Sequence, residues 1–134
     1  MAVLIDTNIA IHLRDGDPAV ADRMAGLSER PFISIVTLVE LEGGVYSKPA
    51  LAAKRRAALD ILLDRLIALP FDDADARAYA TIVSACGYSR PLILDRMIAA
   101  TALVHDLVLI TMNGGDFRDV PGLRLETWDV SPGS

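Results

Sequence analysis

The sequence of 134 residues contains one cysteine, few aromatic residues and no excess of positive charge. The lone Cys86 excludes an internal disulfide and a paired-thiol zinc site, and we interpret it as a small apolar filler. No apolar run reaches the roughly 18 residues that a membrane span needs, because Asp95, Arg96 and Asp106 interrupt the most apolar stretch. The opening residues reach Asp6 without a basic flank, so we expect no signal peptide and a cytoplasmic protein.

The formal net charge is -5 at pH 7. Proteins that bind nucleic acid by bulk electrostatics usually carry a surplus of Lys and Arg, so this balance argues against that mode unless another group attracts phosphate. The hydrophobic fraction of 52% is sufficient for one buried core in a chain of this length. We therefore expect a single domain over residues 1–130 and a disordered tail over 131–134.

Short apolar runs alternate with helical patterns along the chain. Buried strands are predicted at 3–5, 32–35 and 107–110, with a closing edge strand at 123–127. Helices are predicted at 8–13, 17–26, 37–46, 50–66, 72–87 and 94–105. This order indicates an α/β fold in which helices cover both faces of a mostly parallel sheet.

Four acidic residues are predicted to lie at the carboxyl ends of these strands. Asp6 directly follows the first strand, Glu40 lies one turn into the helix after the second, and Asp116 lies beyond the strand that ends at residue 110. Asp95 is in the first turn of its helix, so its carboxylate can reach the same edge. Ligands collect at this edge in parallel α/β sheets.

Each acid taken alone has an ordinary structural explanation. Asp6 and Asp116 could cap a helix or a turn, Glu40 could complete a capping box, and Asp95 could favour the helix dipole. These explanations would make the meeting of four acids at one edge a coincidence. The polar neighbours Thr7, Asn8 and Asn113 would be coincidental too.

Clustered carboxylates repel one another, and some would be protonated at neutral pH unless a cation compensates. Oxygen ligands favour Mg²⁺ or Mn²⁺, which keep several waters and bridge to phosphate oxygens. One or two such ions would turn an acidic edge into a phosphate-binding site and would activate a water for in-line attack. A metal would thus reconcile the negative net charge with a phosphate substrate.

Four motifs in a fixed order carry a family resemblance. They are Asp6-Thr7-Asn8, Thr37-Leu38-Val39-Glu40-Leu41 with Gly44, Asp95-Arg96-Met97-Ile98-Ala99-Ala100, and Thr111-Met112-Asn113-Gly114-Gly115-Asp116-Phe117. No single motif is specific, but the ordered set resembles the PIN domain. The chain length is similar to that of the VapC toxins of bacterial VapBC toxin-antitoxin pairs.

The resemblance implies a three-layer α/β/α fold and an Mg²⁺- or Mn²⁺-dependent endoribonuclease. Its catalytic and metal-binding residues would be Asp6, Glu40, Asp95 and Asp116, supported by Thr7, Asn8 and Asn113. It also implies an RNA substrate, a homodimer and a cognate VapB-like antitoxin that lies across the site. PIN domains serve in RNA processing as well, so a nuclease that is not a toxin is an alternative.

Several other charged residues have less specific interpretations. Glu42 lies two residues from Glu40 and points in another direction on a helix, so we assign the site to Glu40. Arg96 could lower metal affinity, contact RNA or point to solvent, and we expect solvent. His12 and His105 lack metal-ligand spacing and are interpreted as core or surface residues.

A basic group lies around the start of the long predicted helix: Lys48, Lys54, Arg55 and Arg56. These side chains could contact RNA or an acidic part of a partner. A solvated helix face is the default expectation for such a group.

Two competing functions follow from the same pattern. A phosphatase of the haloacid dehalogenase kind also has an Asp after its first strand, but it needs a second acid where this chain has Asn8. A non-catalytic binding module would use the acids only to bind a partner's Arg. The presence of all four acids argues against that module.

Overall fold

Five parallel strands form one sheet in the computed structural model, which describes residues 1–129. The strands are β1 (Val3–Ile5), β2 (Phe32–Ser34), β3 (Ile67–Leu69), β4 (Val108–Thr111) and β5 (Leu125–Thr127). Their order is β3-β2-β1-β4-β5, and every neighbouring pair is parallel. The predicted parallel α/β fold and its edge strand are confirmed, whereas the predicted tail at 131–134 lies outside the described residues.

Six helices connect the strands within this range. They are α1 (Thr7–Arg14), α2 (Pro18–Ala25), α3 (Ile35–Tyr46), α4 (Ala52–Leu63), α5 (Asp73–Cys86) and α6 (Ile93–Val104). Side chains that precede a helix satisfy its first free N–H groups. Asp17 caps α2 in this way, and Asp72 and Asp75 form a capping box at α5. None of the helices in residues 1–129 has the length and apolar character needed to cross a membrane.

Alternate side chains of the central strands face opposite layers of helices. Ile5 of β1 packs with Ile9 and Leu59 from the layer of α1 to α4. Leu4 of the same strand packs on the other face with Ile98 of α6. All of these side chains are fully buried. The predicted three-layer arrangement is therefore confirmed, and it brings the carboxyl ends of the parallel strands to one edge.

The structure differs most from the sequence prediction in three places, besides shifts of one or two residues at the ends of other elements such as β4, β5 and α3. The pattern does not predict β3, because its residues are only partly buried or exposed and follow directly on a helical apolar stripe. The predicted helix at 50–66 is a 3-10 turn at Pro49–Leu51 followed by the shorter α4. The strand predicted at 32–35 ends one residue early because the Ser34 side chain caps α3.

Gly87 ends α5 with a φ of 87° and a ψ of 156°, a conformation that is essentially restricted to glycine. We expect Gly87→Ala to lower the free energy of unfolding by about 1 to 3 kcal/mol, because the backbone would be strained. Gly43→Ala is the matched control, since an added Cβ meets nothing within 4 Å at either position and Gly43 is helical. Urea unfolding measures both, and equal midpoints would contradict the prediction.

Candidate active site

Asp6 lies at the junction of β1 and α1, where its carboxylate has two structural contacts. Its Oδ1 accepts a hydrogen bond from the Ile9 N–H at 3.0 Å and so caps α1. Its Oδ2 accepts a hydrogen bond from the Thr111 hydroxyl at the end of β4. Asp6 is only 4% exposed. Burial raises the pKa of Asp6 above its ordinary value, although these hydrogen bonds oppose the change.

Glu40 reaches the same edge from α3 through contacts with α1. The Thr7 hydroxyl donates to Glu40 Oε1 at 2.7 Å and lies 3.0 Å from Thr37 Oγ1. Glu42 instead binds Arg56 at 2.6 Å, and this hydrogen bond lowers the pKa of Glu42. The geometry agrees with the assignment of Glu40, because the guanidinium already compensates Glu42.

Asp95 and Asp116 approach from the other side of β1. Asp95 is the third residue of α6, and Asp116 lies in a short 3-10 turn after β4, where the Asn113 amide donates to it at 2.7 Å. The pKa of Asp95 is raised to about 6, first by burial and then by the negative charges of Asp116, Asp6 and Glu40. Four acids from separate segments thus share one electrostatic environment.

The carboxylates do not converge on a single point. Within residues 1–129, no three carboxylate, imidazole or thiol groups lie close enough to hold one ion between them. Hydroxyl and amide groups hold Asp6, Glu40 and Asp116 in separate positions. Repulsion between ionised acids also keeps their carboxylates apart. A donor set made only of oxygens nevertheless fits Mg²⁺, because that ion binds one or two carboxylates and keeps several waters.

Thr111 makes a contact at the acidic edge that its place in the fourth motif does not predict. Its hydroxyl donates to Asp6 and accepts from the Asn113 N–H at 3.0 Å, so it joins the acid after β1 to the loop after β4. Strand register is the property that would have identified it. Ile5 pairs with Ile110 in the parallel ladder, which places the next residue of each strand side by side.

Asn8 occupies an exposed position in the first turn of α1. Its backbone N–H is directed at Asp6 and helps to lower the pKa of that acid. The described residues offer its side chain no hydrogen bond, in contrast to Thr7 and Asn113, whose side chains bind acids directly.

The expectation that Arg96 points to solvent is wrong. The side chain is 3% exposed, and its Nη1 donates to the Gly87 carbonyl at the end of α5. Its Nη2 lies 3.5 Å from Asp119 Oδ2. Consecutive helical residues diverge by about 100°, so Arg96 turns inward while Asp95 faces the acidic edge. A buried guanidinium with these contacts ties α6 to two neighbouring segments and is not presented to RNA.

The basic group divides into two kinds of residue. Lys48 and Lys54 are exposed, as a solvated face predicts. The half-buried Arg55 donates to the Gly44 carbonyl at 2.8 Å, and Arg56 lies 2.6 Å from one carboxylate of α3 and 2.6 Å from one of α4. The arginines therefore tie α4 to α3, and the expectation of a uniformly solvated face is wrong for them.

The histidines and the cysteine lie outside the acidic edge. His12 is 2.9 Å from Asp17 at the start of α2, and His105 is exposed at the end of α6. The Cys86 thiol donates to the Asp119 carbonyl at 3.1 Å and packs beside the apolar core. These contacts agree with the structural interpretations of all three residues.

Comparison with known protein families identifies the family of this chain. The model of the PIN domain matches residues 3–123, and the chain belongs to this family. The tRNA(fMet)-specific endonuclease VapC of Shigella flexneri is 32% identical over 93% of this chain and 96% of its own length. Ribonuclease VapC4 of Mycobacterium tuberculosis is 35% identical over 92% of this chain and 95% of its own length.

Comparison of folds gives the same result. The crystal structure of DNA-bound VapBC from Salmonella typhimurium includes a chain with a TM-score of 0.83 and 28% identity to this one. The match covers 96% of this chain and 99% of that chain. The resemblance predicted from the four motifs is therefore confirmed.

Proposed function

We propose that this chain is a divalent-metal-dependent endoribonuclease and the toxin of a toxin-antitoxin pair. The observation that carries the nuclease part is the acidic edge, where Asp6, Glu40, Asp95 and Asp116 share one electrostatic environment. The ribonuclease names of relatives that match more than nine-tenths of the chain support it. The family match over 3–123 supports one nuclease domain spanning residues 1–130.

Asp6 and Asp95 would bind Mg²⁺ or Mn²⁺ together with Glu40 and Asp116, directly or through water. Such an ion supplies an activated water and compensates charge on the phosphate. The chain orients three of the ligands beforehand: Thr111 fixes Asp6, Thr7 fixes Glu40 and Asn113 fixes Asp116. A nearby cation would favour the ionised form of Asp95, which burial and three negative charges oppose.

The proposed partners follow from the structural neighbours. The Salmonella structure is a DNA-bound VapBC complex, which supports a VapB-like antitoxin as a partner of this chain. We propose a homodimer in addition, which the resemblance to VapC toxins implies. A toxin of this kind acts in the cytoplasm because its RNA substrate is there. An RNA-processing PIN nuclease without an antitoxin is the second candidate, since the acidic edge would serve both.

Cleavage of a total bacterial RNA pool tests the proposal, with initiator tRNA added because a relative is named for it. Purified antitoxin-free protein should make discrete cuts in Mg²⁺ or Mn²⁺ and none in EDTA, and end mapping should show 5′-phosphates and 3′-hydroxyls. Cleavage that persists in EDTA would contradict metal dependence. Binding of RNA without any cleavage would instead favour the non-catalytic module.

A further inference from the structure

A second charged region lies between the C-terminal end of α1 and the first turns of α4. It is a cavity of about 220 Å³, which we call the Arg14 pocket. Its lining consists of Arg14, Asp15, Leu51, Lys54, Arg55 and Ala58. Three cations and one acid therefore face a single cavity in a chain whose net charge is -5.

Arg14 is a buried cation with incompletely satisfied hydrogen bonds. Its side chain is 4% exposed, and Nε donates to Asp15 Oδ1 at 3.0 Å. Among residues 1–129, the two terminal nitrogens have no hydrogen-bond partner, yet neither is fully enclosed. The hydrogen-bond acceptors of these two nitrogens therefore have to come from whatever fills the Arg14 pocket. A buried charge without acceptors is costly, so oxygen atoms of a ligand would be favoured there.

The guanidinium groups of Arg14 and Arg55 both lie beside Gly44 of α3. Its carbonyl accepts a hydrogen bond from Arg55 Nη1 at 2.8 Å, and a Cβ built on Gly44 would lie 3.1 Å from Arg14 Nη1. Two guanidinium groups thus approach one backbone unit of α3, and among the described residues that line the pocket, Asp15 is the one acid that compensates them. The exposed Lys54 adds a third positive charge at the rim.

The Arg14 pocket lies on the same seam between α1 and α3 as the acidic edge. Thr7 binds Glu40 at one end of the seam, and Arg14 lies against Gly44 at the other. The two ends of the seam are four residues apart on α3 and seven residues apart on α1, which gives axial separations of about 6 Å and about 10 Å. An extended RNA strand can therefore reach from the acidic edge to the Arg14 pocket within one or two nucleotides.

We propose that the Arg14 pocket binds a phosphate of the RNA substrate one or two nucleotides from the phosphate that is cleaved. Guanidinium groups match phosphate oxygens with paired hydrogen bonds, and Lys54 contributes a point charge. The proposal rests on the proposed nuclease function. A local group of cations would allow this protein to bind RNA although its net charge is negative.

Binding without cleavage tests this proposal. A labelled single-stranded oligoribonucleotide is titrated with Asp6→Asn protein at several NaCl concentrations, and anisotropy gives the affinity. We expect added Lys54→Gln or Arg14→Gln to weaken binding about tenfold and to reduce the slope of log affinity against log salt by about 0.7. Arg77→Gln, an exposed cation on α5 in the opposite layer, is the matched control and should change neither quantity beyond a small nonspecific loss.

The outcomes separate the pocket from the nuclease function. Thermal melting verifies that Arg14→Gln is folded, and the exposed Lys54→Gln gives the answer if it is not. Unchanged RNA affinity and salt slope in Lys54→Gln would overturn the proposal, even if wild-type protein cuts RNA. Loss of affinity for an oligoglutamate peptide alone would overturn it in favour of an acidic partner. Weakened RNA binding would support the pocket even if no variant cleaves.

Discussion

Asp6→Asn protein should fold normally and cut RNA at least about 100-fold more slowly than wild type in Mg²⁺ or Mn²⁺. The substitution is nearly isosteric, and the remaining amide oxygen can still accept the Ile9 N–H that caps α1. The change removes the charge that a hard cation requires from its ligand. Single-turnover cleavage of an end-labelled RNA gives the rate, and circular dichroism verifies the fold.

Asp22→Asn is the control for this experiment. Asp22 is an exposed acid on α2, so the same loss of one charge there should leave the rate unchanged. Retained cleavage by purified Asp6→Asn would refute the assignment of Asp6 as a ligand. Equal losses in the two variants would mean that net charge, rather than position, controls the rate.

The outline of the fold could be predicted because its central strands are strongly apolar and its helices begin with recognisable caps. Val3 to Ile5 and Val108 to Ile110 are buried runs of apolar residues, and helix caps such as Asp17 and Asp72 are local contacts between near neighbours. The strand at Ile67–Leu69 lies at the sheet edge and is only partly buried, so its residues carry little strand periodicity. Edge strands lack the burial that makes central strands recognisable, and β5 at the other edge could be predicted because apolar and polar residues alternate over residues 123–127.

The candidate site was predictable to the level of its acids but not of the contacts that hold them. The acids could be located because parallel strands end at one edge, and that depends on strand order alone. The hydroxyl of Thr111 reaches Asp6 across 105 residues of sequence, which only the register of β1 and β4 determines. The prediction for Arg96 was wrong, because a charged side chain next to a candidate site acid was expected at the surface and here lies buried.

Repulsion among the acids at the acidic edge should make the metal-free protein less stable than a variant that lacks one of these charges. In EDTA at neutral pH, Asp95→Asn should melt several degrees above wild type. The pKa of Asp95 is about 6 in the folded protein against an ordinary 3.8, so folding favours its protonated form. The stability penalty of ionisation therefore develops as the pH rises from 3.8 through 6 and is complete above that range. The full shift corresponds to about 3 kcal/mol, which solvent screening at this half-buried group reduces to roughly 1 to 2 kcal/mol.

Calorimetry at several pH values distinguishes this cause from a general effect of removing charge. Below pH 4 both proteins carry a neutral side chain at position 95, so their melting temperatures should converge. Saturating Mg²⁺ should reverse the order at neutral pH, because the wild type gains more binding free energy than a variant that lacks one ligand. The control Asp22→Asn should follow wild type throughout. A lower melting temperature for Asp95→Asn in EDTA would mean that its carboxylate makes a net stabilising contact. The four acids would then not repel one another in the metal-free protein, as the proposed function requires.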